Sequence, residues 1–159
     1  MNIVEHTDPI LTTKCEQYNF AEPSEDPVEL AQSMVKLVYD KDVLGISANQ
    51  IGLNYRVLAM RGYPENFVCF NPRIVQPSEQ MVTLEETDPC HAGLSVKVKR
   101  PQHVRVRFQT PNGETRTETF TGMTARIFQQ QLDFLDGIPY YNRANKYHKD
   151  LAFKKWKKK

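Results

Sequence analysis

Thr124-Ala125-Arg126-Ile127-Phe128-Gln129-Gln130-Gln131-Leu132-Asp133-Phe134-Leu135-Asp136-Gly137 shows a clear helical period within this 159-residue chain. At roughly 100° per residue, Ile127, Phe128, Gln131, Leu132, Phe134 and Leu135 fall on one arc, which predicts a buried helical face. The helix is expected from about Met123 to Asp136. Gly137 and then Pro139 end it, as glycine and proline commonly do just past a helix. Gln131 lies on the apolar arc, so its amide must find partners inside or cost about 1–3 kcal/mol.

Working outward, Asp26-Pro27 supplies an N-cap and a first helical position. Leu30, Met34, Leu37 and Val38 then follow at helical spacing, predicting an N-terminal amphipathic helix that ends near Asp40. Strands are predicted at Arg56 to Met60, Phe67 to Val75, Leu94 to Val98, Val104 to Phe108 and Thr115 to Phe120. The last two flank Asn112-Gly113, a strong hairpin turn signal. Arg105 and Arg107 alternate with Val104, Val106 and Phe108 and are expected on a solvated sheet face.

Three stretches in the same order resemble the motifs of the peptide deformylases. Val43-Leu44-Gly45-Ile46-Ser47-Ala48-Asn49-Gln50 is similar to GΦGΦAAxQ (Φ apolar), with Val43 at its first glycine and Ser47 at one alanine. His91-Ala92-Gly93-Leu94-Ser95 is similar to EGCLS, with Gly93 in place of the cysteine. Gln129 to Gly137 is similar to QHExDHLxG, with Gln130 and Phe134 in place of the histidines and Gln131 in place of the glutamate. The resemblance covers roughly residues 1 to 140. It implies an α+β fold with mixed and antiparallel strands around the central motif helix, preceded by the N-terminal helix.

In that family one thiolate and two imidazoles hold a divalent cation and leave a position for water, and the glutamate takes the water's proton. Glycine offers no ligand, phenylalanine none, and glutamine only a neutral carbonyl. Gln131 has no carboxylate to act as a base. These four changes lead to the expectation of no metal or other cofactor, no catalytic residue, and an inactive pseudoenzyme serving as a binding or structural component. Its partner would be an unidentified protein or assembly, a virus particle included. The rival reading is an active deformylase whose unorthodox metal site recruits Cys90 and His91. Against it, both residues suit a loop, and moving them inward would need a register shift of the following strand.

The resemblance also implies a groove for an extended peptide, edged by Gly45 and Ile46 and by the strand after Leu94. Gln50, Gly93, Gln130, Gln131 and Phe134 would surround the former metal position. Gln131 has two routes to satisfaction: a bond to Gln50, which stabilises the oxyanion in the family, or a water shared with Gln130. Phe134 is expected to plug the space of the lost imidazole and metal.

Charge is segregated along the chain. Residues 143–159 carry eight Lys or Arg against Asp150, a net +7, so residues 1–142 carry −5. A boundary is therefore drawn between a domain at 1–142 and a basic tail. The tail's Arg143, Lys146, Lys149, Lys154, Lys155, Trp156, Lys157, Lys158 and Lys159 suit RNA or, by the family resemblance, the ribosome. This gives a third reading, in which the tail is primary. No apolar run is long enough for a membrane span, the N-terminus lacks a signal-peptide pattern, and the odd, scattered Cys15, Cys69 and Cys90 suit reduced thiols, so a cytoplasmic protein is expected.

Overall fold

A computed structural model describes residues 1–158. Helix α1 spans Pro27–Asp40. Asp26 caps it by accepting from the Val28 and Glu29 N–H groups at 2.8 and 3.1 Å, which satisfies donors that the first turn leaves open. Seven strands follow, β1 (Gly45–Ser47), β2 (Val57–Met60), β3 (Phe67–Pro77), β4 (Met81–Glu86), β5 (Val96–Pro101), β6 (His103–Gln109) and β7 (Thr115–Thr121), then α2 (Gly122–Leu135) and α3 (Lys146–Lys157). The α+β architecture expected from the sequence is present.

Five strands form an antiparallel sheet in the order β1-β2-β3-β6-β7, and β4 pairs with β5 as a separate antiparallel ribbon. Strand β2 is buried on both faces, and its alternation divides the core. Val57 and Ala59 face a cluster with Leu30, Met34 and Val38 of α1. Leu58 and Met60 face Phe128, Leu132 and Leu135 of α2. Helix α2 is thus clamped between the large sheet and the ribbon, whose Val96 and Val98 pack in a third cluster with Phe134 and Tyr140.

The β4–β5 ribbon departs from the sequence reading in two ways. Strand β5 begins at Val96, because Gly93 at φ 82° and the Leu94 N–H bonded to the His91 carbonyl at 3.0 Å make a turn first. Strand β4 has no counterpart in the prediction. The basic segment is not a loose extension: Asn145 caps α3, Ala152 is buried, and Trp156 donates its indole N–H to the Ala92 carbonyl at 3.0 Å. Lys146, Lys154, Lys155, Lys157 and Lys158 are exposed on it, and Lys149 is half-buried; Lys159 lies outside the described residues. Among the described residues no helix is long and apolar enough to cross a membrane.

Candidate functional site

A cleft of about 630 Å³ opens where β1, the end of β4 and one side of α2 meet. Strand β1 forms one wall and is the edge of the large sheet. The Leu44 carbonyl accepts from the Arg61 N–H at 2.9 Å, so Leu44 and Ile46 face β2 in the ladder. By the alternation of an antiparallel pair, the Gly45 N–H and C=O face the open edge. Gly45 is also sterically required. A Cβ there would lie 2.6 Å from Ile127 Cγ2 and 3.2 Å from the Ala59 carbonyl oxygen. Val43, at the position of the motif's first glycine, is held by main-chain bonds and packs toward α1. Its N–H reaches the Val38 carbonyl at 3.0 Å, and its carbonyl accepts from Arg61 Nε at 2.9 Å.

Among the predicted groove residues, Gly45, Gly93, Gln130 and Gln131 line the cleft, together with Met123 and Ile127. Ile46, Gln50, Leu94 and Phe134 are fully buried behind that wall. Gln50 does not bond to Gln131. Its Oε1 accepts from the Ser47 N–H at 2.9 Å and from Ser47 Oγ at 3.1 Å, and its Nε2 donates to Asp88 Oδ2 at 3.2 Å. Gln130 Nε2 donates to the Thr87 carbonyl at 2.8 Å. Gln131 is 3% exposed, and its Oε1 is buried with no hydrogen-bond partner among the described residues. Asp88 lines the cleft beside them and was not anticipated from the sequence. Its position before Pro89, where an Asp caps the short helical turn Pro89–His91, was the available signal.

Cys90 and His91 do not line the cleft. The Cys90 thiol is buried against the Gln50 carbonyl at 3.9 Å, and desolvation pushes its pKa up to about 12, so it stays a neutral thiol. His91 is buried rather than a polar loop residue. Its Nδ1 lies 2.9 Å from Asp88 Oδ1, and its ring sits 5.4 to 6.3 Å from those of His6, Tyr140, Tyr141 and Trp156, beneath α3. The recruited pair of ligands therefore does not form. Phe134 fills its space against Tyr140 at 6.3 Å between ring centres. The described residues contain no group of three or more His, Cys, Asp or Glu placed to hold a metal. With glycine, glutamine and phenylalanine at the three positions, the donor set does not fit the family's cation.

The polypeptide deformylase family model matches residues 1–150. The chain belongs to that family. It is 30% identical over 148 residues to peptide deformylase 1B, chloroplastic/mitochondrial, of Arabidopsis thaliana, covering 90% of this chain and 54% of the relative. Against the peptide deformylase of Wolbachia pipientis wMel it is 32% identical over 143 residues, 82% of this chain and 80% of the relative. The crystal structure of the Arabidopsis thaliana enzyme with an inhibitor superposes at TM-score 0.91 with 29% identity, over 99% of this chain and 89% of that one. The Thermus thermophilus peptide deformylase gives TM-score 0.90 with 28% identity, over 98% and 92%. The chain spans about half the length of the first curated relatives it matches, at 54%, 52% and 55%. These findings correct the expectation of an inactive binding component. The relatives are named as the enzyme, and they favour the rival reading, an active peptide deformylase, over the pseudoenzyme.

Proposed function

We propose that this chain acts as a peptide deformylase, removing the formyl group from an N-terminal methionine carried by an extended peptide. The observation that carries the reading is the cleft itself, with an open strand edge at Gly45 facing an apolar helix side at Met123 and Ile127. It lies in a chain that superposes on a family enzyme over 99% of its length. An extended peptide can add to such an edge through backbone bonds, with alternate side chains entering pockets. The peptide's second strand edge is offered by β4, which among the described residues pairs only with β5. Leu44, Met123 and Ile127 supply the apolar surface for the methionine side chain. In this role the chain's own residues bind and orient the substrate, and since the donor set does not fit a metal, no step is assigned to one.

The test is deformylation of formyl-Met-Ala-Ser, monitored by release of formate and appearance of the free amine. It is run on the full chain as purified and again after iron, nickel or zinc supplementation. Turnover under any of these conditions is the expected result; a folded protein that gives none under all of them overturns the proposal.

A second reading concerns partners. The exposed lysines of α3 form a basic surface held in place by Trp156, which suits RNA bound through its phosphates. Deleting residues 143–159 would also strip packing from His91, so Lys154→Glu with Lys158→Glu is the cleaner test. RNA retention on a filter should fall and lose its salt dependence; unchanged binding rules the surface out.

A further inference from the structure

Strand β7 ends the five-stranded sheet at the side opposite β1, and among the described residues it pairs only with β6. The hairpin fixes the direction of its backbone groups. The Thr110 N–H donates to the Glu114 carbonyl at 2.8 Å, one step beyond the facing residues Gln109 and Thr115. By the alternation of an antiparallel pair, Arg116, Glu118 and Phe120 then bond to β6, while Thr115, Thr117 and Thr119 turn their N–H and C=O groups to the open edge. All three threonines are exposed. Natural sheets blunt such edges with proline, lysine, a bulge or an inward-pointing charge. Strand β7 has no proline, no lysine and an unbroken register from Thr115 to Thr121. Its remaining guards are Arg116 and Glu118, which share a face of the strand with the buried Phe120 and bond each other at 2.6 Å.

We propose that β7 is the seam of a homodimer, joined antiparallel to β7 of a second copy about a twofold axis through Thr117. In this register Thr117 bonds its own counterpart and Thr115 bonds Thr119 of the partner subunit, each pair exchanging two backbone bonds. The exposed side chains then meet as Thr–Thr pairs, a favourable cross-strand combination. On the other face Arg116 meets Glu118 of the partner subunit, and the symmetry repeats that pair. Each charge has the opposite sign beside it both along its own strand and across the seam. Moving the axis to Arg116 sets arginine against arginine, and moving it to Glu118 sets glutamate against glutamate; like charges directly opposite are destabilising. The charges that guard this edge against other strands therefore select one register with a second copy of the same chain. Strand β1 lies at the far edge of the sheet, so the seam leaves the cleft uncovered and stands apart from the deformylase reading.

Sedimentation of the full chain over about 1 μM to 1 mM should show the mass rising from one chain toward two. Glu118→Arg and Arg116→Glu should each weaken the dimer at least roughly tenfold, because each sets like charges across the seam. Mixing the two variants should restore it as a heterodimer, since every facing pair is again of opposite sign. A merely structural role for these residues cannot produce that rescue. Thr117→Cys tests the axis without touching the charges. Its Cα would lie about 5.5 Å from its counterpart, within reach of a disulfide, and the native cysteines are buried. Crosslinking at 117 under mild oxidation is expected, with none for Thr121→Cys, which is also exposed. A wild-type chain still monomeric at about 1 mM overturns the proposal. So does a dimer that persists in both charge variants, or one lost in each and not rescued on mixing. Where a charge variant fails to fold the cysteines decide: no crosslink at 117, or an equal one at 121, overturns it.

Discussion

Helix α2 carries two buried polar clusters of opposite character. On one side Arg100 bonds Glu86 through Nε and Nη2 at 2.6 and 3.0 Å and Asp133 through Nη1 at 2.7 Å. Arg126 and Arg143 add further pairs to Glu86 and Asp133. On the other side Gln131 and Asp88 are buried in the cleft wall, and Gln131 Oε1 has no hydrogen-bond partner among the described residues. The first cluster is closed on itself and holds the β4–β5 ribbon against α2. The second is unfinished, and an unfinished buried site is where a ligand can gain affinity that a satisfied one cannot offer.

The largest test of that contrast is Arg100→Met. It leaves Glu86 and Asp133 buried with fewer cationic partners, and removing one member of a buried network costs about 3–5 kcal/mol. Urea denaturation should show a loss of that size. A loss below about 1 kcal/mol would mean that the ribbon is held by Val96 and Val98 alone, and the closed-cluster picture would fail.

The next effect lies at the contact between the clusters' helix and the strand edge. Gly45→Ala places a methyl 2.6 Å from Ile127 Cγ2 and 3.2 Å from the Ala59 oxygen, and overpacking of this kind costs about 1–3 kcal/mol. Backbone cannot yield as a side chain can, so Ile127→Ala should relieve part of the cost but not all. The double variant should therefore be more stable than the sum of the two singles, by at least about 0.5 kcal/mol. Strict additivity would place β1 and α2 farther apart than described.

How much of this is legible in the sequence depends on which force holds each element. Asp26-Pro27 and the apolar spacing after it locate α1 at its observed ends, and the position of Gln131 on the arc places it inward. Strand β4 escapes a sequence reading because Met81, Thr83, Leu84 and Glu85 are exposed, and the buried residue at its end is a charged one, Glu86. Its place is set by Arg100 and Arg126 across the fold, a pairing that no local pattern encodes. His91 reads as a loop residue for a similar reason. What buries it is a set of rings from distant segments, His6, Tyr140, Tyr141 and the Trp156 of α3, which no local pattern brings together. The cleft residues contributed by motif positions can be named in advance. Asp88, three residues before the motif begins at His91, is placed there only by the turn at Pro89–His91 that it caps.

The smallest expected effect has the opposite sign to the others and separates the two clusters most cleanly. Gln131→Met keeps the length of the side chain and removes an amide oxygen that has no partner among the described residues, so the ligand-free protein should gain stability, by about 1 kcal/mol. Gln130→Met, one residue earlier, removes the donor to the Thr87 carbonyl and should lose about 1 kcal/mol. Neighbouring glutamines on one helix turn would then respond in opposite directions to the same substitution, measured as shifts in the urea midpoint at constant slope. A loss at both positions would show that Gln131 has a partner within the folded chain, and the inner end of the cleft would be as closed as the arginine network beside it.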